Sequence, residues 1–449
     1  MEDQELYKKL QGMMDRREYA ALRLAFAEMN EVDIARFMET LPPSRAVLAF
    51  RTLPKEAELG VFAELDAETQ QHIIGLITDK EIADIIEDLW VDDAVDMLEE
   101  MPANLVQRVL GNSSAETRTL INQFLMYPED SAGSIMTVEY IELRKSITVE
   151  DAIKRIRRTG EDRETVYTCY VTNDTRILQG VVTVKDLLLA HDSDLIEDIM
   201  EPDVIAVATT ATQEEAARLM AKYDLIALPV VDGENRLVGI VTVDDAVDVL
   251  REEATEDFER MAAMAPSEKP YLKTSVFALA KNRLPWLLIL LVTSMLVGVV
   301  LSHYEPMYAT FPLLVTFIPM LTGTGGNAGS QSSTMIIRGM ALGEIKMGDF
   351  LKVLWKETRV CLLVGLGLAL ANFVRLAIML PGNWLLSLVV CLSLVVAVFV
   401  GKTIGSMLPM LAKACRIDPA LVAAPLITTI VDGLTLVVYF NIAIQVLPH

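Results

Sequence analysis

Along residues 29–112 an apolar residue returns every twelve positions: Met29, Leu41, Leu53, Leu65, Ile77, Leu89 and Met101. Each is followed by a residue that stops or caps a helix, such as Pro42, Pro54, Asp66, Thr78, Asp92 or Pro102, and then by a short stretch of helical spacing like 81–86. A short fixed period predicts stacked short helices in a superhelix, an architecture of binding surfaces more than of catalysis. After a linker at 127–133 a second periodicity begins. The run from Ile177 to Leu187 matches the run from Arg236 to Ala246, with Gly180 and Gly239 59 residues apart. Each copy predicts a helix (146–158; 212–223), a strand (167–172; 227–231), a turn, a strand and a helix, hence two small α/β modules. Pro266 and Pro270 then break the chain, and 271–283 predict a basic amphipathic helix. Five apolar segments follow, at about 284–304, 311–337, 360–380, 384–411 and 418–447, each long enough to cross a bilayer. The expected fold is multidomain. It comprises an all-α superhelical domain (1–130), a tandem α/β pair (131–257), a connecting helix (258–283) and a five-helix transmembrane domain (284–449).

Charge divides the chain at the same place. Residues 1–270 hold 56 of the 62 acids and 27 of the 39 basic residues, a balance of −29, whereas 271–449 hold 6 acids and 12 bases, a balance of +6. The acidic half repels nucleic acid and anionic lipid and attracts cations. The loop 338–359 carries Arg338, Lys346, Lys352, Lys356 and Arg359, and 402–416 carries Lys402, Lys413 and Arg416, while 302–310 has no Lys or Arg. With positive residues inside, the N-terminus and both soluble parts face the cytosol and the C-terminus lies outside a cell (inner) membrane. The first eleven residues are charged and lack a signal core. The four cysteines (Cys169, Cys361, Cys391, Cys415) form no metal-spaced pair and suit a reducing compartment. An odd number of spans favours a homodimer with its pore on the two-fold over a self-contained pore.

Two groups of residues carry chemistry. Asp432 lies 14 residues beyond Asp418, about 21 Å along a helix. That is bilayer depth, where a carboxylate costs several kcal/mol and usually faces a polar path. The run 319–334, containing Gly323, Gly325, Asn327 and Gln331, is too polar to face lipid. With Thr428, Thr429 and Thr435 it lines a hydrated path, and Pro425 is expected to free a backbone carbonyl there. The second group is the acidic helix carrying Asp244, Asp245, Asp248, Glu252, Glu253, Glu256 and Asp257. Like charges three or four apart repel by ~0.2–0.5 kcal/mol per pair, and divalent cations bound by carboxylate oxygen relieve that. Asp92, Asp93, Glu214 and Asp224 are further candidate ligands of such a cation sensor. No ATP-hydrolysing Gly-x-x-x-x-Gly-Lys-Ser/Thr run is present, so transport is expected to be passive. Arg375 and Lys402 read as interfacial, which argues against an anion path. No second carboxylate is seen at depth, which argues against an exchanger or an intramembrane hydrolase.

The strand–Thr-x-x-Asp pattern at Thr183–Asp186 and Thr242–Asp245 resembles a tandem pair of CBS modules. That resemblance makes Thr183, Asp186, Thr242 and Asp245 candidates for ATP or another adenosine nucleotide. The whole chain resembles the MgtE family of magnesium transporters. The carrying motifs are Gly323 to Gln331, Asp418-Pro419-Ala420 with Pro425, Thr428, Thr429 and Asp432, the Val243-Asp244-Asp245…Asp248 run, and Glu252 to Asp257. The resemblance implies a homodimeric, Mg²⁺-gated, channel-like importer and no enzyme. Asp432 would be the pore carboxylate. Asp92, Asp224, Asp245, Asp248, Glu253, Glu256 and Asp257 would count cytosolic Mg²⁺, and 271–283 would belong to a plug helix. Two positions depart from the family's pattern. Gly60 stands where a sensor glutamate is expected, with Glu56 or Glu58 as substitutes, and Ala424 stands where an asparagine is expected beside the pore. The alternatives are a carrier of Co²⁺ or Mn²⁺ and a divalent-cation exchanger.

Overall fold

A computed structural model describes residues 2–267, 271–422 and 424–447 of the chain. The expected break at Pro270 and the side chain of Ala424 lie outside the described residues. Two compact units form, Met1–Arg251 and Glu252–His449.

The first unit begins with short helices: α1 (Glu2–Asp15), α2 (Tyr19–Ala27), α3 (Glu31–Glu39), α4 (Pro43–Phe50), α5 (Glu58–Ala63), α6 (Ala67–Leu76), α7 (Asp79–Asp88), α8 (Val91–Glu99), α9 (Ala103–Asn112) and α10 (Ala115–Phe124). The twelve-residue period marks their ends. Leu41, Leu53, Leu65, Ile77 and Met101 lie one to three residues past a helix and are buried. The caps follow chemistry. Asp66 accepts the Thr69 N–H, and Thr78 closes a reciprocal capping box with Glu81. Pro42 and Pro102 precede helices, where a missing N–H costs nothing. Asp92 departs from this pattern. Trp90 is the extended residue before α8 and Asp92 sits inside its first turn, so it is a helical side chain and no cap. Helices pack on the next but one (α3 on α5, α4 on α6, α7 on α9, α8 on α10), which is how a superhelix buries one apolar face per helix.

Both α/β modules share one topology. The first has β1 (Ile141–Leu143), α11 (Val149–Thr159), β2 (Thr168–Thr172), β3 (Leu178–Thr183) and α12 (Val184–Leu189). After α13 (Ile196–Ile199), the second has β4 (Val207–Ala208), α14 (Gln213–Tyr223), β5 (Ala227–Val231), β6 (Leu237–Thr242) and α15 (Val243–Met261). In each, a parallel pair is followed by an antiparallel one, in the order β1-β2-β3 and β4-β5-β6. The 59-residue glycine spacing has a packing cause. A Cβ on Gly180 would meet Met200 and the Glu201 carbonyl, and one on Gly239 would meet Met136 and the Thr137 carbonyl. There the segment before each module bridges to the third strand of the other (Val181 with Glu201, Ile240 with Thr137).

The second unit is helical: α16 (Val276–His303), α17 (Glu305–Thr310), α18 (Leu313–Ala341), α19 (Phe350–Met379), α20 (Trp384–Ala414) and α21 (Ala424–Val446). Four stretches, Val276–His303, Met347–Met379, Trp384–Ala414 and Pro419–Val446, are long and apolar enough to cross a membrane. The expected second span, α18, is not apolar enough to be among them; it has 29 residues, enough for about 43 Å, with the expected polar run in its middle. Three expectations need correction. The basic helix expected at 271–283 does not stand alone: Ser275 caps at Ala278, and one helix runs from Val276 through Pro285 to His303. Lys352, Lys356 and Arg359 belong to the first turns of α19 and to no loop. Pro425 is the second residue of α21, where its lacking N–H disturbs no bond, so no carbonyl is freed. Instead the Pro425 carbonyl accepts both the Thr428 and Thr429 hydroxyls, each at 2.9 Å.

Candidate cation path and cation-sensing cluster

The membrane unit is assembled around α18, whose glycines replace side chains with backbone contact. A methyl on Gly401 would overlap the Gly325 carbonyl and one on Gly405 the Gly329 carbonyl, so α18 and α20 cross at backbone distance. On its side toward α21, Gly325 lies against Val431 and Thr435, Gly326 against Thr428, and Gly329 against Ile427. The glycine run thus brings α18 to the part of α21 that carries Asp432. Asp432 is half-buried, and its carboxylate takes no hydrogen bond or ion pair from the described residues. The neighbouring Thr435 hydroxyl is buried without a partner.

Of the expected lining residues, Gly325 is buried in the helix crossing, whereas Asn327 and Gln331 are exposed. Gly323, Asn327, Gln331 and Thr334 recur at intervals of four, four and three and form one exposed polar stripe along α18. Thr428 and Thr429 are half-buried and use their hydroxyls on the Pro425 carbonyl.

Lys402 is not interfacial. It is 6% exposed, and its ammonium donates to Ser332 Oγ at 3.1 Å and lies 3.4 Å from Glu357 Oε2. Ser332 donates to the same carboxylate oxygen at 2.7 Å. A second acid therefore does lie within the helical bundle, on α19, but a cation from α20 already neutralises it. Breaking one side of a buried pair leaves an uncompensated charge and costs about 3–5 kcal/mol, while replacing both sides with apolar groups is often neutral. Lys402→Met alone is accordingly expected to lower the melting midpoint of the detergent-solubilised protein far more than Lys402→Met with Glu357→Leu. A double variant no more stable than the single would refute the pairing.

In the first unit, acids converge where α8 meets the start of α15. Asp92, 8% exposed, bonds only locally, through the Asp93 N–H at 3.0 Å. Burial, then Asp245, Asp93 and Glu164, raises its carboxyl well above the ordinary carboxylate range. Asp93 is pushed up to about 6 by burial and then by Asp245 and Asp244. Asp245 is pushed up to about 6 by burial, against the opposing hydrogen bond from Thr242, whose hydroxyl donates at 2.6 Å. Glu164 rises to about 7 through burial and the fields of Asp244, Asp93 and Asp245, and its Oε2 is buried without a hydrogen-bond partner. Nearby, Glu64 is raised by burial and by Asp248 and Glu31. Gly60 has a structural counterpart: the Glu31 carboxylate occupies the room a side chain at 60 would need. Of the named substitutes, Glu56 is exposed, and Glu58 is half-buried with its carboxyl raised by burial and then by Glu81.

Glu64, Glu139 and Glu164 are the residues that sequence reasoning misses. A signal existed: Glu139 and Glu164 lie two and four residues before the parallel strands β1 and β2, so their loops emerge at the same sheet end, where the Glu164 N–H donates to the Glu139 carbonyl at 2.9 Å. Asp248 is exposed one turn further along α15, and Glu253, Glu256 and Asp257 lie half-buried beyond it, outside the cluster. Glu214 pairs with Arg218, and Asp224 is the left-handed residue ending α14, φ 55°. Thr183 and Asp186 form a capping box on α12, and Thr242 bonds Asp245 in the same way on α15. The Thr-x-x-Asp motif therefore starts a helix in both modules. Among the described residues no three His, Cys, Asp or Glu side chains are grouped tightly enough to hold an ion by themselves. Mg²⁺ rarely needs that, since it keeps several waters and binds through one or two carboxylates. The orphaned Glu164 oxygen among acids that resist ionisation fits such a partly hydrated ion.

A helical bundle with a polar seam, joined to an acidic α/β pair, defines a multi-pass membrane transporter with a cytosolic-type regulatory part. Residues 318–442 match the profile of the MgtE divalent cation transporters, 29–130 that of the MgtE intracellular N domain, and 132–192 and 196–252 that of the CBS domain. The magnesium transporter MgtE of Thermus thermophilus is 37% identical over 98% of both chains, and that of Bacillus subtilis 32% identical over 94% of this chain and 93% of the relative. A crystal structure of the cytosolic domain of the Mg²⁺ channel MgtE in complex with ATP, 36% identical, superposes with a TM-score of 0.52, covering 54% of this chain and 99% of that one. The chain belongs to the MgtE family of CBS-containing magnesium transporters, a family of transport proteins and not of enzymes.

Proposed function

We propose that the protein is a passive, channel-like Mg²⁺ importer, closed by cytosolic Mg²⁺ and working as a homodimer. The observations that carry this reading are the polar stripe Gly323–Asn327–Gln331–Thr334 left open along α18, and Asp432 on α21, whose carboxylate has no partner among the described residues. In a bilayer an open polar stripe needs a polar cover. A second copy about a two-fold supplies one, and brings two Asp432 side chains to a common axis. Their mutual repulsion is relieved by a passing divalent ion, which keeps its own water and needs few ligands. Lys402 removes Glu357 as a free coupling acid, which weighs against an exchanger. With the N-terminus inside and the C-terminus outside, a negative interior favours entry by roughly 2.3 kcal/mol per charge per 100 mV.

The sensing role falls to Asp92, Asp93, Asp245 and Asp248 with Glu64 and Glu164, joined along α15 by Glu253, Glu256 and Asp257, with Glu214 and Asp224 on α14. When Mg²⁺ is abundant it bridges these acids and stabilises the closed arrangement; when it falls, repulsion opens it, by the difference in Mg²⁺ affinity between the two states. Because a relative's cytosolic domain is crystallised with ATP, an adenosine nucleotide at Thr183 and Asp186 or at Thr242 and Asp245 is a further regulatory ligand.

The test is flux into proteoliposomes under an inside-negative potential, with Mg²⁺, Co²⁺, Mn²⁺ or Ca²⁺ outside and graded Mg²⁺ inside. Mg²⁺ entry that rises with potential and falls with internal Mg²⁺ is expected. Entry that ignores the potential, or requires a counter-transported cation, refutes the passive reading.

A further inference from the structure

One basic stretch interrupts the acids of the first unit. Residues 144–176 hold eight basic residues and six acids, a balance of +2 within a half of −29. Three of the eight converge on a cavity of about 180 Å³ beside the edge strand β1, lined by Tyr140, Glu142, Arg155, Thr159, Arg163 and Arg176. The fold explains the convergence. Arg155 and Thr159 lie one turn apart on α11. Arg163 follows the short turn 160–162 that leads from α11 toward β2, and Arg176 sits in the turn between β2 and β3 with φ 62°. Arg176 donates from Nη2 to the Tyr140 hydroxyl at 2.5 Å. The Arg155 and Arg163 guanidiniums have no hydrogen-bond or ion-pair partner among the described residues. Glu142 does not neutralise them, since its carboxylate already takes Arg144 at 3.1 Å and the Thr172 hydroxyl. Three positive forks around one opening, two of them unpaired, favour an anion, and the planar guanidinium matches phosphate oxygens in particular.

We propose that this cavity binds a small phosphate-type anion through Arg155, Arg163 and Arg176. Its size limits the occupant. At about 30 Å³ per water it has room for about six waters, enough for a phosphate or pyrophosphate group. Clefts that take whole organic ligands run to about 300–1,000 Å³ and are mostly apolar. The Tyr140 ring is buried, T-shaped against Tyr170, so it offers a base no open face. The site is separate from the Thr-x-x-Asp positions: none of Thr183, Asp186, Thr242 and Asp245 lines it, and Thr183 is on β3, two strands from β1. It also does not depend on the gating reading above. The anion lies on a seam between the modules. The Arg176 carbonyl accepts the Leu237 N–H at 2.9 Å, and the Tyr140 hydroxyl donates to the Leu237 carbonyl at 3.5 Å. Leu237 starts β6 of the second module. An anion held at Arg155, Arg163 and Arg176 therefore ties α11 to the turn on which the second module hangs, and stabilises the pair.

The experiment titrates sodium pyrophosphate into the full-length detergent-solubilised protein by calorimetry. The buffer is freed of divalent ions on a resin, so that neither a chelator nor Mg²⁺ competes. Saturable binding at one site per chain is expected, weakening as NaCl is added. Arg155→Gln and Arg163→Gln are each expected to weaken it about tenfold, the loss of one charged hydrogen-bond donor, and Arg163→Lys less. Arg157→Gln, on the same helix but outside the lining, is expected to bind as the native protein does. Without pyrophosphate the Gln variants are expected to melt at or above the native midpoint, because they lose repulsion and no partner. With it, the native midpoint is expected to rise and that of the Arg155→Gln, Arg163→Gln double variant to stay. No saturable binding at millimolar pyrophosphate overturns the site. So does an Arg157→Gln loss equal to that of Arg155→Gln, which diffuse surface charge would produce. A native midpoint that ignores bound pyrophosphate overturns the role at the seam. Competition identifies the source of the anion. Displacement by inorganic phosphate and not by ATP marks a free anion, displacement by ATP and not by adenosine marks the phosphate tail of a nucleotide, and displacement by adenosine overturns a site separate from the Thr-x-x-Asp positions.

Discussion

Asp432→Asn is expected to reduce Mg²⁺ entry by about two orders of magnitude while leaving the purified protein's oligomeric state unchanged and its melting midpoint no lower than native. Asparagine has the same shape, so packing against α18 is kept, and the carboxylate has no donor or cation among the described residues to lose. What is removed is one negative charge per protomer beside the proposed ion path. At 4 Å and an effective dielectric of 20 a unit pair is worth about 4 kcal/mol. An ion that keeps a water layer feels less from each carboxylate, but it carries two charges and, in the proposed homodimer, meets two carboxylates. A net loss near 3 kcal/mol is about 150-fold in rate. The measurement is initial influx into dye-loaded proteoliposomes. Native influx in the Asn variant would place the ion path elsewhere in the bundle. A stabilised protein with abolished influx would strengthen the assignment, because an unpaired acid at that depth is costly to the fold and useful only to a cation.

How far the sequence carries is set by whether the cause is local. The twelve-residue period, the 59-residue glycine spacing and the long apolar segments are local, and the helices, the paired modules and the membrane bundle follow from them. Thr78 and Asp66 are legible for the same reason, since a cap binds its own helix. What is illegible involves partners from distant elements. Lys402 looks interfacial until α19 brings Glu357 to it, and a charge inside an apolar run carries no mark of its partner. The start of α19 is hidden because basic residues suit a loop and the inner turns of a spanning helix equally well. For the cation sites, Asp432 stands out by its isolation in an apolar segment, and the acids of α15 by their number. Glu139 and Glu164 sit in loops among other charged residues, and only the parallel pairing of β1 with β2 brings the two loops together, with Glu164 in the field of Asp244 and Asp245. Arg260, an i+4 partner of Glu256, reads as one more surface pair until Asp418 joins it.

The second large effect is expected at the cluster of Asp92, Asp93, Asp245 and Glu164. These acids ionise late: burial first and neighbouring carboxylates second raise Asp92 well above the usual range, Asp93 and Asp245 to about 6, and Glu164 to about 7. In the unfolded chain they ionise near about 4. The folded state therefore binds protons more tightly, and stability from this source is present below about pH 4 and is lost as pH rises to about 7. Above that Asp93, Asp245 and Glu164 are charged and the metal-free cluster is weakened by their repulsion. Adding Mg²⁺ is expected to replace protons with metal. In EDTA the melting midpoint of the full-length protein is expected to fall from pH 5 to pH 8 (about the range of the raised carboxyls), and millimolar MgCl₂ is expected to flatten that fall. Mg²⁺ binding near pH 6.5 is expected to release protons, and near pH 8 to release far fewer. Asp245→Asn deletes the leading charged neighbour of both Asp92 and Asp93. It should raise the metal-free midpoint at pH 8, reduce the gain on adding MgCl₂, and shift half-inhibition of influx to internal Mg²⁺ about tenfold higher, a coupling change of about 1.4 kcal/mol. A variant that is stabilised without Mg²⁺ and yet closes at the native Mg²⁺ concentration would separate the cluster from gating, because the same repulsion cannot both open the pore and be dispensable to it.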